Sequence, residues 1–216
     1  AHKKITICLA DLGTVSLTAT ANVSPGTPTY SFTINGIPIA DAPDGKILLP
    51  LGMADNVLVV AQATSNTCAT DFAVNVSVNR VTAGTIGTSD AICSGDDVDA
   101  FTSGSAATAP LGAILTYRWW VKRSDGVGGY TAVGATGAIY DQGTLTVSST
   151  FKREAISTLN GQICIIDSNE ITVTVADLLV PGVATTGTTT ICAGGDPVNI
   201  TVGDGVSART AAGAGT

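Results

Sequence analysis

The chain has 216 residues, of which 44% are hydrophobic and only 12% charged, enough apolar material for packed cores and too much for wholesale disorder. Its formal charge of −7 argues against a nucleic-acid partner, since Lys3, Lys4 and the Lys122–Arg123 pair are too few and too scattered to offset it. No apolar run approaches the roughly 20 residues that would cross a bilayer, so no membrane insertion is expected, and the sequence opens on Ala1-His2-Lys3-Lys4 without a signal peptide, as a segment of a longer or processed chain would.

Thr, Val, Ser and Gly outnumber the good helix formers, a composition suited to many short strands joined by turns. In residues 1–79, Val15 to Thr20 and Thr29 to Ile34 alternate as strands. Asn35-Gly36 then gives a hairpin turn in which both residues tolerate positive φ. Pro43-Asp44-Gly45 marks another turn, and Leu58 to Ala61 and Phe72 to Val78 supply later strands. In residues 80–178, Ile114 to Lys122 sends Tyr117, Trp119 and Val121 to one face and Arg118, Trp120 and Lys122 to the other. Trp119 is the expected core tryptophan of an immunoglobulin-like sandwich, and Trp120 is expected to be exposed. Ser124 to Gly129 reads as a turn. Tyr130 to Val133, Thr144 to Val147 and Phe151 to Ile156 read as strands, and Asn160-Gly161 turns the last hairpin. Residues 179–216 begin a third, incomplete repeat: a Val180-Pro181-Gly182 linker, one strand over Val198 to Val202 and a Gly/Ala/Thr tail. Both chain ends fall near the same repeat landmark, so the parent is expected to continue in both directions.

Five cysteines set the phase of the repeat. Cys8 and Cys68 are 60 residues apart and Cys93 and Cys164 are 71 apart, with shorter gaps of 25 and 28 on to the next cysteine. Ile92-Cys93-Ser94-Gly95 matches Ile191-Cys192-Ala193-Gly194, with Ile7-Cys8 a weaker copy. Cys68-Ala69-Thr70-Asp71 matches Cys164-Ile165-Ile166-Asp167. This phase predicts Cys8–Cys68 and Cys93–Cys164 disulfides, one per repeat, with Cys192 unpaired. Disulfides imply an oxidising compartment, and buried free thiols or a metal site are the alternatives. The fold class expected is all-β, a tandem of immunoglobulin-like β-sandwiches.

Several motifs resemble one family. Ala83-Gly84-Thr85-Ile86-Gly87, Ile92-Cys93-Ser94-Gly95-Asp96, Thr116-Tyr117-Arg118-Trp119, Gly134-Ala135-Thr136 and Thr158-Leu159-Asn160-Gly161 before Cys164 resemble the Ig-like repeats of giant surface adhesins of gliding Bacteroidota, the SprB type. Thr27-Pro28-Thr29-Tyr30-Ser31-Phe32 resembles their PKD-like repeats. The resemblance implies type IX export, display on the cell surface and, in gliding adhesins, long filaments. The implied partners are neighbouring repeats of the same chain, with surface polysaccharide or cell-envelope motility and secretion proteins as further candidates. Similar modules also serve as spacers in secreted hydrolases.

No catalytic or cofactor site is expected. The only histidine, His2, sits at the terminus, where nothing orients an imidazole. Gly126-Val127-Gly128-Gly129 lacks the strand-to-helix context of a phosphate loop. Asp96, Asp97 and Asp99 are weak calcium candidates, joined by Asp167 and Glu170 only if the fold gathers them; turn formation is the plainer role for such aspartates. Trp120 and Tyr130 are candidates for an aromatic sugar platform. Asn22, Asn75 and Asn199 open Asn-x-Ser/Thr triplets, which would mark glycosylation in a eukaryotic secreted protein and are ordinary strand sequence in a bacterial one. Three functions remain: a structural stalk, a glycan- or surface-binding module, and a spacer beside a hydrolase.

Overall fold

The computed structural model describes residues 2–22, 26–39, 42, 44–87, 91–126, 128–180 and 207–209. Apart from a single 3-10 turn at Leu9–Asp11, the regular structure among them is all strand.

The first sandwich uses β1 (Lys3–Cys8), β2 (Ser16–Thr18), β3 (Thr29–Ile34), β4 (Ile37–Pro38), β5 (Lys46–Leu48), β6 (Val57–Ser65) and β7 (Cys68–Asn79). One sheet runs β1-β7-β6-β3-β4, and β2 pairs with β5 across from it. β1 joins β7 in parallel, with Cys8 opposite Asn79. The Asn35-Gly36 turn has φ of 49° and 80°, the double positive value that suits a tight hairpin. Alternation in β6 turns Val57, Val59, Ala61 and Ala63 inward. The first three, with Leu12, Phe32, Leu49, Met53, Val76 and Val78, build the first core.

The second sandwich uses β8 (Thr85–Ile86), β9 (Ala91–Cys93), β10 (Asp97–Val98), β11 (Ser103–Ser105), β12 (Ile114–Arg123), β13 (Thr131–Ala132), β14 (Gly143–Thr144), β15 (Ser149–Leu159), β16 (Gln162–Asp167) and β17 (Ile171–Ala176). Its main sheet runs β13-β12-β15-β17-β9, with β16 also on β15; β8–β11 and β10–β14 are two-stranded pairs. β9 joins β17 in parallel, with Cys93 opposite Ala176, as Cys8 stands opposite Asn79. The chain is thus a tandem of immunoglobulin-like β-sandwiches.

Trp119 is fully buried, as its strand alternation predicts. Its ring lies 6.1 Å from Phe101 and 5.5 Å from Tyr140, and its indole N–H donates to the Gly137 carbonyl at 2.8 Å. Trp120 departs from expectation: it is half-buried rather than exposed, because the Arg118 guanidinium lies 4.8 Å over its ring.

Register aligns the two sandwiches residue by residue. Val57 faces Val76 in the first as Ser149 faces Val173 in the second. Counting from those pairs, Phe32 opposite Ala61 corresponds to Trp119 opposite Arg153.

The expected third repeat, its strand over Val198 to Val202 and Cys192 lie outside the described residues. Of that region only β18 (Leu178–Val180) and β19 (Ser207–Arg209) are described, paired antiparallel.

Candidate functional site: the joint between the sandwiches

The predicted pairing of cysteines within each repeat is not what the fold forms. Cys8 is bonded to Cys164, with Cα atoms 5.6 Å apart, and Cys68 and Cys93 are free and exposed. The reason is strand geometry. Cys8 stands beside Asn79 at one end of β7, while Cys68 begins the same 12-residue strand. At about 3.3 Å per residue those ends are roughly 36 Å apart, beyond any disulfide. In the second sandwich Cys93 stands beside Ala176, past the pairing of Val173 with Ser149. Cys164 faces Ser157, eight residues further up β15. The two cysteines of a repeat therefore mark opposite poles of its sandwich. The pole of the first that carries Cys8 meets the pole of the second that carries the β15–β16 hairpin.

That meeting surface is a packed joint. Asn79 is completely buried at the end of β7, and its amide donates to the carbonyls of Ser157 at 3.0 Å and Gln162 at 3.3 Å. The Ser157 hydroxyl, also completely buried, donates back to Asn79 Oδ1 at 2.7 Å. Around this polar centre Val81, Ala83, Ala155 and Cys164 form a small apolar cluster with Cys8, Ala107, Leu115 and Tyr117. Asn160 Nδ2 donates to Thr6 Oγ1 at 3.1 Å on the rim. Buried polar groups that satisfy one another define a single register where apolar contact alone would permit sliding.

The connecting segment is held on both sides. Arg80 bonds Asp55 and the Met53 carbonyl of the first sandwich. Ala83 accepts from Arg153 Nη2 of the second at 3.1 Å. Gly84 follows at φ +64°, where a Cβ would sit 2.3 Å from the Ser105 carbonyl oxygen, so only glycine fits. Arg153 itself is fully buried without a carboxylate. Its remaining bonds go to Ser103 Oγ at 2.6 Å and the Ala138 carbonyl at 2.7 Å, and the rings of Tyr117 and Trp119 face its charge. Burial pulls its pKa below the ordinary arginine value.

The other sequence candidates fall apart as sites. Asp96 accepts from the Cys93 amide at 3.3 Å in a local turn, and Asp96, Asp97 and Asp99 are all exposed. Asp167 is paired with Lys152 at 2.7 Å. Among the described residues no group of three or more His, Cys, Asp or Glu is placed to hold a metal. Trp120 and Tyr130 lie beneath cations, Arg118 over the first and Lys152 at 4.7 Å over the second, so neither ring offers a free face to a sugar on that side. Arg118 in turn pairs with Glu154 at 2.6 Å. The Tyr130 hydroxyl is buried. Burial, with Glu170 and Asp167 nearby, pushes its pKa well above the usual phenol value.

The importance of the joint was not read from the sequence, although one signal existed. Cys68 follows a turn directly and Cys164 is the third residue after the Asn160-Gly161 turn, so both sit at the hairpin pole of their sandwich.

The fold is similar to that of a solved phage protein. The three N-terminal domains of the bacteriophage RB49 Highly Immunogenic Outer Capsid protein superimpose with a TM-score of 0.53 at 12% identity, covering 81% of this chain and 68% of that one. Insect hemolin (TM-score 0.42, 10% identity, 86% of this chain and 54% of that one) and the four N-terminal Ig domains of Dscam1 isoform 1.9 (0.34, 13%, 81% and 43%) match more loosely. The chain spans only about half the length of these last two. At such identities the likeness concerns the fold alone. The second sandwich, residues 82–177, matches the family described as Domain of unknown function (DUF8696). No curated protein matches the sequence.

Proposed function

We propose that this chain is a stalk segment of an extracellular surface adhesin, a pair of structural repeats that carry tension and turn over no substrate. The observation that carries this reading is the Cys8–Cys164 bond across the joint. Tension entering at β1 passes through that bond into β16 and leaves through β17. Residues 9–163 hang outside the force path. The buried Asn79–Ser157 contacts fix the angle between sandwiches, as a spacer of defined reach requires. A disulfide of this kind persists in an oxidising, extracytoplasmic setting. The net charge of −7 keeps closely spaced copies apart. The finer reading, repeats of a SprB-type gliding adhesin exported by the type IX system, is supported by the sequence motifs. Neighbouring repeats are then the principal partners. Glycan binding loses its main support with the covered rings of Trp120 and Tyr130.

Single-molecule stretching of the oxidised and the reduced chain tests the reading. The bond spans 156 residues, so reduction should lengthen the contour released on full unfolding by on the order of 500 Å at roughly 3.3–3.6 Å per residue. Equal contour lengths in the two states would remove the mechanical argument.

A further inference from the structure

Among the described residues, the tandem contains one occupied joint and two poles that repeat its halves without a partner repeat. Register makes the comparison direct. Ser65 lies eight residues beyond Val57, and Ser157 lies eight beyond Ser149. Cys68 faces Ser65 as Cys164 faces Ser157. By the same register Ala63, opposite Tyr30, corresponds to Ala155, opposite Tyr117. Pro28, two residues before Tyr30, corresponds to Leu115, two before Tyr117. At the joint, Leu115, Ala155 and Cys164 receive Val81 and Ala83 of the segment that connects the two sandwiches. At the outer pole of the first sandwich, a hollow of about 110 Å³ is lined by the counterparts Pro28, Ala63, Ser65 and Cys68, together with Ala21 and Ala69.

The opposite pole repeats the pattern. Cys93 beside Ala176 corresponds to Cys8 beside Asn79. Asn79, Ser157 and Cys164 are buried at the joint, while Ala176, Cys93 and Cys68 are exposed and Ser65 is half-buried; Ala63, like its counterpart Ala155, is buried. Thus each free cysteine occupies a register whose counterpart is bonded across the occupied joint. In the apolar hollow beside Cys68, Pro28, Ala63 and Cys68 stand where Leu115, Ala155 and Cys164 form the seat that a linker fills in the occupied case.

We propose that Cys68 and Cys93 are inter-repeat crosslinking sites in a longer tandem array. Cys68 bonds the first-strand cysteine of the repeat before it, whose linker fills the Pro28–Ala63 hollow. Cys93 bonds the hairpin cysteine of the repeat after it. Each bond forms as two thiols give up two protons and two electrons to a protein or small-molecule disulfide, which is reduced to two thiols. The array is then stitched at every joint, by bonds that cross between repeats rather than closing each one. This inference requires repeated sandwiches and does not depend on the mechanical reading, so each can fail alone.

Peptide mapping of the secreted protein tests it, with free thiols capped by iodoacetamide before digestion and without reduction. The expected result is loss of the capped Cys68 and Cys93 peptides and their recovery after reduction. The non-reduced digest should contain Cys68 linked to a peptide from an earlier repeat and Cys93 linked to one from a later repeat. Capping of both cysteines in the secreted protein would overturn the proposal. So would linkage of Cys68 to Cys93, whether within one chain or between two.

Discussion

Trp119 and Trp120 are neighbours in sequence with opposite surroundings. Trp119 is fully buried, packed against Phe101 and Tyr140 and hydrogen-bonded to Gly137, so its removal would leave a large cavity. Truncation to Ala should cost roughly 3–5 kcal/mol in denaturant unfolding. Trp120→Ala should cost much less, since Arg118 keeps its Glu154 partner when the ring is gone. Equal losses would contradict the strand register. Tyr130 gives the second prediction at this scale. Its folded-state pKa is raised by burial, so the neutral phenol is the form the fold prefers. The stabilisation is fully present below the unfolded pKa of about 10 and is lost as pH rises from there through the folded value. Tyr140 shifts the same way, again mainly through burial. Stability should therefore be flat with respect to these tyrosines from neutral pH to about 9 and fall above about 10. Tyr130→Phe should flatten the alkaline decline, with phenolate absorbance reporting the ionisation. An unchanged slope would show that Tyr130 does not ionise with unfolding.

Turns that demand glycine separate local conformation from packing. Gly161 in the β15–β16 hairpin and Gly84 in the linker both have positive φ. A Cβ at Gly161 meets nothing within 4 Å, whereas one at Gly84 would press into the Ser105 carbonyl and the Ala106 backbone. Gly161→Ala should cost about 1–2 kcal/mol, the price of a left-handed backbone alone. Gly84→Ala should cost distinctly more and loosen the linker from β11. Thermal unfolding of the two variants measures the difference, and equal midpoints would show that the Gly84 contact relaxes freely. The hairpin turns were legible because Asn-Gly carries its conformation locally, and β3, β6, β7, β12 and β15 were legible because alternation spans many residues. Two-residue pairs such as β13 and β14 leave too short a pattern to bound: Tyr130 to Val133 and Thr144 to Val147 shrink to Thr131–Ala132 and Gly143–Thr144. The disulfides were misassigned for a different reason. Spacing identifies which cysteines are equivalent, but it does not say which pole of a sandwich each one occupies. For Cys8 and Cys93 that depends on β1 and β9 running parallel to the last strands, a non-local pairing with no sequence signature. Asn79 was equally hidden: a polar residue ending an alternating strand looks like a boundary, and only the apposed Ser157 makes it a buried contact.

At the scale of the whole molecule, the Cys8–Cys164 bond makes two sandwiches with separate cores into one topological unit. Its loop of 156 residues removes much of the unfolded chain's freedom, up to about 5 kcal/mol in the chain-entropy model. This stabilisation is shared, because neither sandwich can gain the full freedom of an open chain while the other remains folded. With the bond intact, unfolding of one sandwich also pulls on the Asn79–Ser157 contacts and the Val81–Ala155 cluster that both contribute to the joint. Cys8→Ser should leave those contacts in place but weaken the coupling. Denaturant unfolding of the variant should begin at lower concentration and resolve into two transitions, one per core, where the oxidised parent shows them merged. Cys68→Ser is the matched control. Cys68 is exposed and unbonded in this chain, so its replacement should leave the curve unchanged. If Cys8→Ser unfolds as the parent does while Cys68→Ser does not, the covalent tie between repeats runs through the other pole, and the assignment of the joint must be reversed.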